Sequence, residues 1–344
     1  MFRSNQSQSY MEKIDITIAI PTYNRAEKVK KQIARLIPQL SAEDRIIVSD
    51  NASPGINFEE IIDGFSDSRI RLSQNKINIG ANANVVRCFE LVDTNFMWLL
   101  SDDDDIVSNA LDIIRSNIMK YNADFYNFST NLLRASRNDI LCTDLAEYVN
   151  AIGSGVSNHL LMSNNVYKVK SFLPYLSFAF WATYINAPHL APIFMALQNG
   201  SMILLSSENI VKWGSDDVNT SGAWRFSNLY NLLFLPDVIS DSILREKTIK
   251  CVMNSLPAPE RLLAQLAYYK CKEKDHKRID SYARRILNIY LESGSSGLKL
   301  RAFMLKILIR FPRTYLYILN VFFLITKKTD IYNYIQKGQF EFYI

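Results

Sequence analysis

The chain contains no run of 18 or more apolar residues, so no conventional membrane-spanning helix is expected. Its four cysteines (Cys88, Cys142, Cys251 and Cys271) form no C-x-x-C pair and no metal-ligand spacing. They read as free, mostly buried thiols of a reducing compartment rather than as a disulfide framework. The opening stretch MFRSNQSQSYMEK lacks the apolar core of a secretory signal, and residues 1–13 are expected as a loosely held tail. There is no internal repeat and no low-complexity tract. A net charge of +5 over 344 residues is too mild and too scattered to indicate nucleic acid. The absences together point to a cytoplasmic protein with a folded core.

Apolar residues make up 48% of the sequence and charged residues 21%, enough for one large or two modest domains. Residues 14–130 alternate between short β-rich runs (14–20, 45–50, 69–74, 96–100, 123–129) and segments of helical spacing (26–40, 57–65, 80–92, 108–121). That alternation predicts an α/β, Rossmann-like architecture with a mostly parallel sheet flanked by helices. Residues 131–160 read as irregular, with GSGVSN (153–158) flexible. Residues 188–213 read as helix, then strand, and residues 228–344 as a helical C-terminal region. The expected division is 1–13, 14–227 and 228–344.

Ligands of such sheets bind outside the carboxyl ends of the strands. The first strand there delivers PTYNR (21–25), the second DNAS (50–53), the third NKINIG (75–80) and the fourth SDDDD (101–105). Four consecutive aspartates against a buried strand repel one another unless a cation binds. Oxygen ligands suit Mg²⁺ or Mn²⁺, which takes one or two carboxylates plus substrate phosphates. Asp102 and Asp104, two apart on an extended turn, lie on one side. No His or Cys is near, which argues against zinc. The plainer reading is that these acids favour the start of the following helix. Asp50 reads as an Asx-turn or as a ligand of a ribose or base. Thr22 and Tyr23 suit a planar base and Arg25 a phosphate or an acid, with Pro21 opening that loop. NIGANAN, with Asn78, Gly80 and Asn84, suits a loop near a nucleotide.

AIPTYNR, VSDNAS, NIGANAN and WLLSDDDD, in this order, resemble the family 2 glycosyltransferases of GT-A type. The resemblance covers residues 14–130. It implies a nucleotide-sugar donor, a divalent metal on a D-x-D motif and inverting transfer. Carried over, Thr22, Tyr23 and Asp50 match positions around the base and ribose. Asp102, Asp103 and Asp104 match the motif, with Asp104 the direct metal ligand; Asp105 is an extra acid without a role. Many members place an acidic general base before a helix in the second half of the domain. Here YINAPHLAPIFMALQNG (184–200) has no acid, and His189 occupies that slot, as base or as a helix-start packing residue. His159 and the pair Asp216 and Asp217 are rivals, and His276 is expected on a charged surface. The variant resembles bacterial O-antigen sugar transferases of the abequosyltransferase type.

LKLRAFMLKILIRFPRTYLYILNVFFLITKK (298–328) mixes apolar runs with basic residues, and Pro312 should split it into two helices. Such helices either lie in an anionic membrane interface or pack on protein. The expected function is a metal-dependent sugar transferase of surface-polysaccharide or O-antigen (lipopolysaccharide) biosynthesis. It would act on a saccharide or lipid-linked saccharide acceptor, as a peripheral protein on the inner face of the cytoplasmic membrane. A nucleotidyltransferase is the rival enzyme, but PTYNR lacks the Gly-rich phosphate loop. A non-catalytic nucleotide-sugar-binding subunit is the rival from another class.

Overall fold

A computed structural model describes residues 14–130, 137–153, 156–185, 187–212, 231–256, 266–267, 270–271, 276–292 and 296–325. The chain forms two compact units that interleave in sequence. One comprises Met1–Leu141, Ser163–Pro174 and Leu204–Trp213; the other comprises Cys142–Met162, Tyr175–Ile203 and Gly214–Ile344.

The first unit is built on β1 (Ile16–Thr22), α1 (Ala26–Leu36), β2 (Arg45–Asp50), α2 (Phe58–Asp63), β3 (Ile70–Gln74), α3 (Ala81–Glu90), β4 (Phe96–Leu99), β5 (Asp105–Ile106), α4 (Ala110–Tyr121) and β6 (Phe125–Ser129). β1, β2 and β4 are buried along nearly their whole length, as strands covered on both faces must be, and they read as continuous apolar runs. β2–β1–β4 and β3–β2 pair in parallel, with Thr22 opposite Asp50 and Asp50 opposite Gln74. The helices cover the sheet with stripes of helical period: Val29, Gln32, Ile33 and Leu36 on α1, and Leu111, Ile114 and Ile118 on α4. Asn122 ends α4 in the left-handed conformation (φ 45°), a position Asn tolerates.

The expected mostly parallel sheet is present, with one addition. The sheet has eight strands in the order β3-β2-β1-β4-β8-β6-β9-β7, where β7 is Ile140–Cys142, β8 is Asn165–Lys168 and β9 is Ile203–Asn209. β8 lies antiparallel between β4 and β6. Sequence periodicity missed it because four residues show no resolvable alternation. A second small sheet pairs β5 with β10 (Val211–Lys212), antiparallel.

The second unit contains α5 (Leu145–Ile152), α6 (Val156–Leu160), α8 (Leu176–Trp181), α9 (Leu190–Gln198), α10 (Ser242–Ser255), α11 (His276–Glu292), α12 (Ser296–Arg310) and α13 (Pro312–Ile325); the single-turn α7 (Val169–Phe172) belongs to the first unit. Residues 131–160 are therefore not irregular where described. α5 begins with an N-cap: Asp144 accepts from Glu147 N at 2.8 Å, and Glu147 reaches back past it to accept from Thr143 N at 2.8 Å. The D-x-x-E signature of that start is in the sequence. GSGVSN contributes to α6 rather than to a loop alone. Pro312 does divide the C-terminal segment into two helices, taking the first position of the second.

Candidate active site

Backbone bonds lock the strand ends of the first unit into one rim. Asn51 N donates to Thr22 O at 2.9 Å, Asn75 N to Asp50 O at 2.8 Å and Leu100 N to Ala19 O at 2.9 Å. The loops after β1, β2, β3 and β4 therefore emerge side by side, and the acids of 101–105 face the start of α1.

There, Thr22 Oγ1 donates to Asp102 Oδ2 at 2.7 Å, and Arg25 Nη1 bonds Asp102 Oδ1 and Asp103 Oδ2, each at 2.9 Å. Lys28 Nζ stands 3.5 Å from Asp103 Oδ2, and Ser101 Oγ donates to Asp103 Oδ1 at 2.6 Å. Asp102 is 5% exposed. Burial raises its pKa against the pull of Arg25 and Thr22. Burial also raises Asp103, but Ser101, Arg25 and Lys28 outweigh it and leave that carboxyl below its usual range. Arg25 is held above its ordinary value: burial works against its charge, and Asp102 and Asp103 more than offset it.

Asp104 differs from its neighbours. Ser163 Oγ donates to its Oδ2 at 2.5 Å, and among the described residues Oδ1 takes no hydrogen bond. Burial, with Asp103, Asp102 and Asp105 adding repulsion, pushes its pKa up to about 6 despite the Ser163 bond. Gln32, buried on α1, fixes this turn by donating to the carbonyls of Ser101 (2.9 Å) and Asp104 (2.7 Å). Asp105 starts β5 and pairs with Arg35 of α1. That pairing gives the fourth aspartate its place: it ties the acidic turn to the helix.

The other expected ligands have structural partners. Asp50 is fully buried. Its Oδ1 accepts from Ser53 Oγ at 2.5 Å and its Oδ2 from Gln74 Nε2 at 2.9 Å, with Ser53 N 3.2 Å from both. Ser53 Oγ in turn accepts from Asn24 N at 2.7 Å, joining the first two loops. Both Asp50 oxygens thus hold the loops after β1 and β2 together, alongside the role toward a ribose or base that the sequence suggested. Asn84, 2% exposed, bonds Ser49 Oγ (2.9 Å), Ser49 O (2.8 Å) and Asn75 Nδ2 (2.9 Å). Asn75 bonds Asn51 (3.0 Å), which bonds Asn78 (2.8 Å), and Asn78 accepts from Gly80 N (2.9 Å). Asn78 and Asn84 are thus the two ends of an amide relay that shapes the loop, and Gly80 takes φ 89° at the start of α3. Tyr23 is 42% exposed on the rim and Pro21 half-buried. Asn24 (φ 59°) and Ala52 (φ 62°) both adopt the left-handed region, backbone strain of the kind that collects at functional loops.

His189 belongs to the second unit. It is 2% exposed, its Nε2 lies 2.9 Å from the carbonyl of His159, and it makes no cap bond to α9. Burial lowers its pKa to about 4, the His159 carbonyl opposing that only in part. The ring is packed, as the helix-start packing reading of His189 has it, and burial favours its neutral form. His159, 1% exposed, stacks edge-on against Tyr148 at 5.2 Å. Asp216 and Asp217 lie outside the described residues, and His276 opens α11.

Residues 17–130 match the sequence model of Glycosyl transferase family 2. Over those residues the chain is similar to the family 2 glycosyltransferases. Over 110 residues it is 27% identical to the Escherichia coli protein WfgD, a UDP-Glc:alpha-D-GlcNAc-diphosphoundecaprenol beta-1,3-glucosyltransferase. The match spans 32% of this chain and 43% of that protein. In fold, the chain is similar to TarS 1-349 of S. aureus, with TM-score 0.57, 12% identity, and 95% of this chain and 93% of that one covered. The same TarS fragment in complex with UDP-GlcNAc aligns with TM-score 0.56 and 13% identity over 88% of each chain. The GT-A-like architecture and the glycosyltransferase assignment of this domain agree with the sequence expectation. Gln32, Ser163 and Gln74, which organise the site, carry no motif signal, and Ser53 closes the DNAS stretch without having been singled out. Gln32 alone left a trace, as a polar residue within an apolar helical stripe.

Proposed function

We propose that the protein transfers a sugar, with inversion, from a nucleotide-sugar to a saccharide carried on a lipid diphosphate. The work would be done at the inner face of the cytoplasmic membrane during assembly of a surface polysaccharide such as O-antigen. Two similar proteins support this reading: WfgD is a glucosyltransferase from UDP-Glc to a diphosphoundecaprenol-linked sugar, and TarS has been solved in complex with UDP-GlcNAc. The nucleotide would lie on the rim made by the loops after β1, β2 and β3, with the exposed Tyr23 ring against its base.

The observation that carries the metal-dependent form of the proposal is Asp104. Its carboxyl is largely buried, repelled by three neighbouring acids and, among the described residues, hydrogen-bonded through one oxygen only. Among the described residues no three metal-ligating side chains cluster. The site therefore fits Mg²⁺ or Mn²⁺ held by Asp104 and donor phosphates, not a cation caged by protein. Asp102 would contribute through the same turn while Thr22 and Arg25 hold its carboxylate in place. Such a cation neutralises charge gathering on the leaving diphosphate. Arg25 and Lys28 balance the remaining acids, and Gln32 fixes the backbone of the turn that carries Asp104.

The test is turnover of UDP-glucose and UDP-GlcNAc with a synthetic saccharide-diphospho-lipid acceptor, with and without chelator. Product formation that disappears on chelation and returns with Mg²⁺ or Mn²⁺ is expected. Undiminished transfer in chelator overturns the metal role. Tight nucleotide-sugar binding with no transfer to any lipid-linked acceptor favours the non-catalytic binding subunit.

A further inference from the structure

The end of the second unit carries two features that the transfer site does not use. The first is an apolar stripe. On α13 the exposed positions Tyr317 (71%), Ile318 (57%), Val321 (39%), Leu324 (71%) and Ile325 (76%) recur at helical spacing, while Tyr315 is buried on the opposite side. α12 adds exposed Leu300 and Phe303. An amphipathic helix of a water-soluble surface turns such residues inward; here they face outward. No described helix is long and apolar enough to cross a membrane.

The second is a cleft of about 370 Å³ lined by Lys270, Cys271, Arg310, Phe311, Arg313 and Thr314. Lys270 is bonded to Asp280 at 2.5 Å. Arg310 and Arg313 make no ion pair among the described residues; the Arg310 guanidinium lies 5.8 Å from the Phe311 ring centroid. Residues 296–325 hold five basic side chains (Lys299, Arg301, Lys306, Arg310, Arg313) and no acidic one. A cleft with two guanidinium groups that form no ion pair among the described residues suits an oxyanion that can take bidentate bonds, and phosphate fits that chemistry.

We propose that α12 and α13 dock on an anionic phospholipid surface, with a lipid phosphate seated between Arg310 and Arg313 and the Tyr317–Ile325 stripe at the acyl boundary. Stripe and cleft are joined through Thr314, so one lipid headgroup and its chains engage both. The one-signed charge of the segment matches an anionic leaflet, each basic residue near it adding attraction, and it does not match a second copy of the same basic face. The inference rests on the proposed lipid-borne acceptor only for its purpose. Docking and transfer can fail separately.

The experiment is co-sedimentation of the full chain with vesicles of phosphatidylcholine alone or with 30% phosphatidylglycerol, alongside turnover of a detergent-soluble acceptor. Binding to the anionic vesicles, at least tenfold weaker without the anionic lipid, is expected. Arg310→Gln/Arg313→Gln should lose that preference, and Ile318→Asn/Leu324→Asn should lose binding to both vesicles; these sites are exposed and leave the core intact. Cys271 is the only cysteine not buried, so slower alkylation of it on vesicles reports occupation of the cleft. Docking is overturned by absence of vesicle binding, or by binding that neither pair of substitutions changes. It is also overturned by a dimer that the stripe substitutions dissolve, which gives the face to a second copy. Protection of Cys271 by inorganic phosphate but not by vesicles assigns the cleft to a soluble anion instead. Vesicle binding without glycosyl transfer sinks the proposed function and leaves the docking surface standing.

Discussion

Ser163 Oγ sits between two parts of the acidic turn: it accepts from Ser101 N at 2.9 Å and donates to Asp104 Oδ2 at 2.5 Å. The residue precedes β8, the antiparallel strand inserted beside β4, and its carbonyl accepts from Trp98 Nε1 at 2.8 Å. One hydroxyl from a distant part of the chain thus sets the orientation of the carboxylate proposed to hold the cation.

Ser163→Ala removes that bond and spares the Trp98 contact, which uses backbone. A hydrogen bond to a charged group is worth about 1.5–3 kcal/mol. The cation concentration needed for half-maximal transfer should rise by about tenfold or more, while saturating cation restores most of kcat. Titration of activity with Mn²⁺ reads this directly. A fall in kcat that excess Mn²⁺ does not recover would place Ser163 in the chemistry itself.

Asp104→Asn separates function from folding. The folded-state pKa of about 6 lies above the ordinary 3.8, so the folded protein holds a proton that the unfolded chain has released between those values. In the absence of cation, stability therefore falls as pH rises from about 4 through 6. The interval corresponds to on the order of 3 kcal/mol at neutral pH. The variant should lose transfer yet melt several degrees higher than the parent at pH 7.5 in chelator, with the gap closing near pH 4. Thermal melts across that range decide it; equal melting at pH 7.5 would mean the repulsion is relieved elsewhere.

Asp50 shows which part of a site residue was legible in the sequence and which was not. Its position at the end of β2 was legible in the sequence, as were the strands, the loops and the aspartate run, because each is a local pattern of apolar periodicity followed by polar residues. What its carboxylate does was not legible: Ser53 and Gln74 become its partners only when β2 and β3 pair in register. The same limit hid Ser163 and the Arg35–Asp105 pair, whose members are 70 residues apart in sequence. Motif spacing reports which loops meet; it does not report which side chains are consumed in holding them.

It follows that Asp50→Ala should weaken nucleotide binding and stability together. Removing a buried carboxylate leaves the Ser53 and Gln74 donors unpaired, at about 1–3 kcal/mol. Calorimetry with UDP should show at least severalfold weaker binding, and the melting temperature should drop in parallel. Weaker binding at an unchanged melting temperature would return Asp50 to direct contact with the nucleotide.

His189 gives the sharpest test of how the second unit is read. Its Nε2 must carry a proton to donate to the carbonyl of His159, and the ring is almost wholly enclosed. The folded pKa of about 4 lies below the unfolded 6.5, so its contribution to stability is complete above pH 6.5 and is lost as pH falls through 4. The span is worth on the order of 3 kcal/mol. His189→Leu removes this titration and the bond from Nε2 to the His159 carbonyl. The variant should be less stable than the parent at pH 7.5, and the deficit should shrink or reverse toward pH 4.5. Turnover of its folded fraction at pH 7.5 should stay within a few-fold of the parent, with no acid limb near 6.5 in either protein. A positioned general base contributes about 10²–10⁴-fold. A loss of that size in folded His189→Leu protein, with donor affinity intact, would make the histidine the proton acceptor after all. It would then have to abstract the acceptor's proton through Nδ1, since Nε2 is committed to His159.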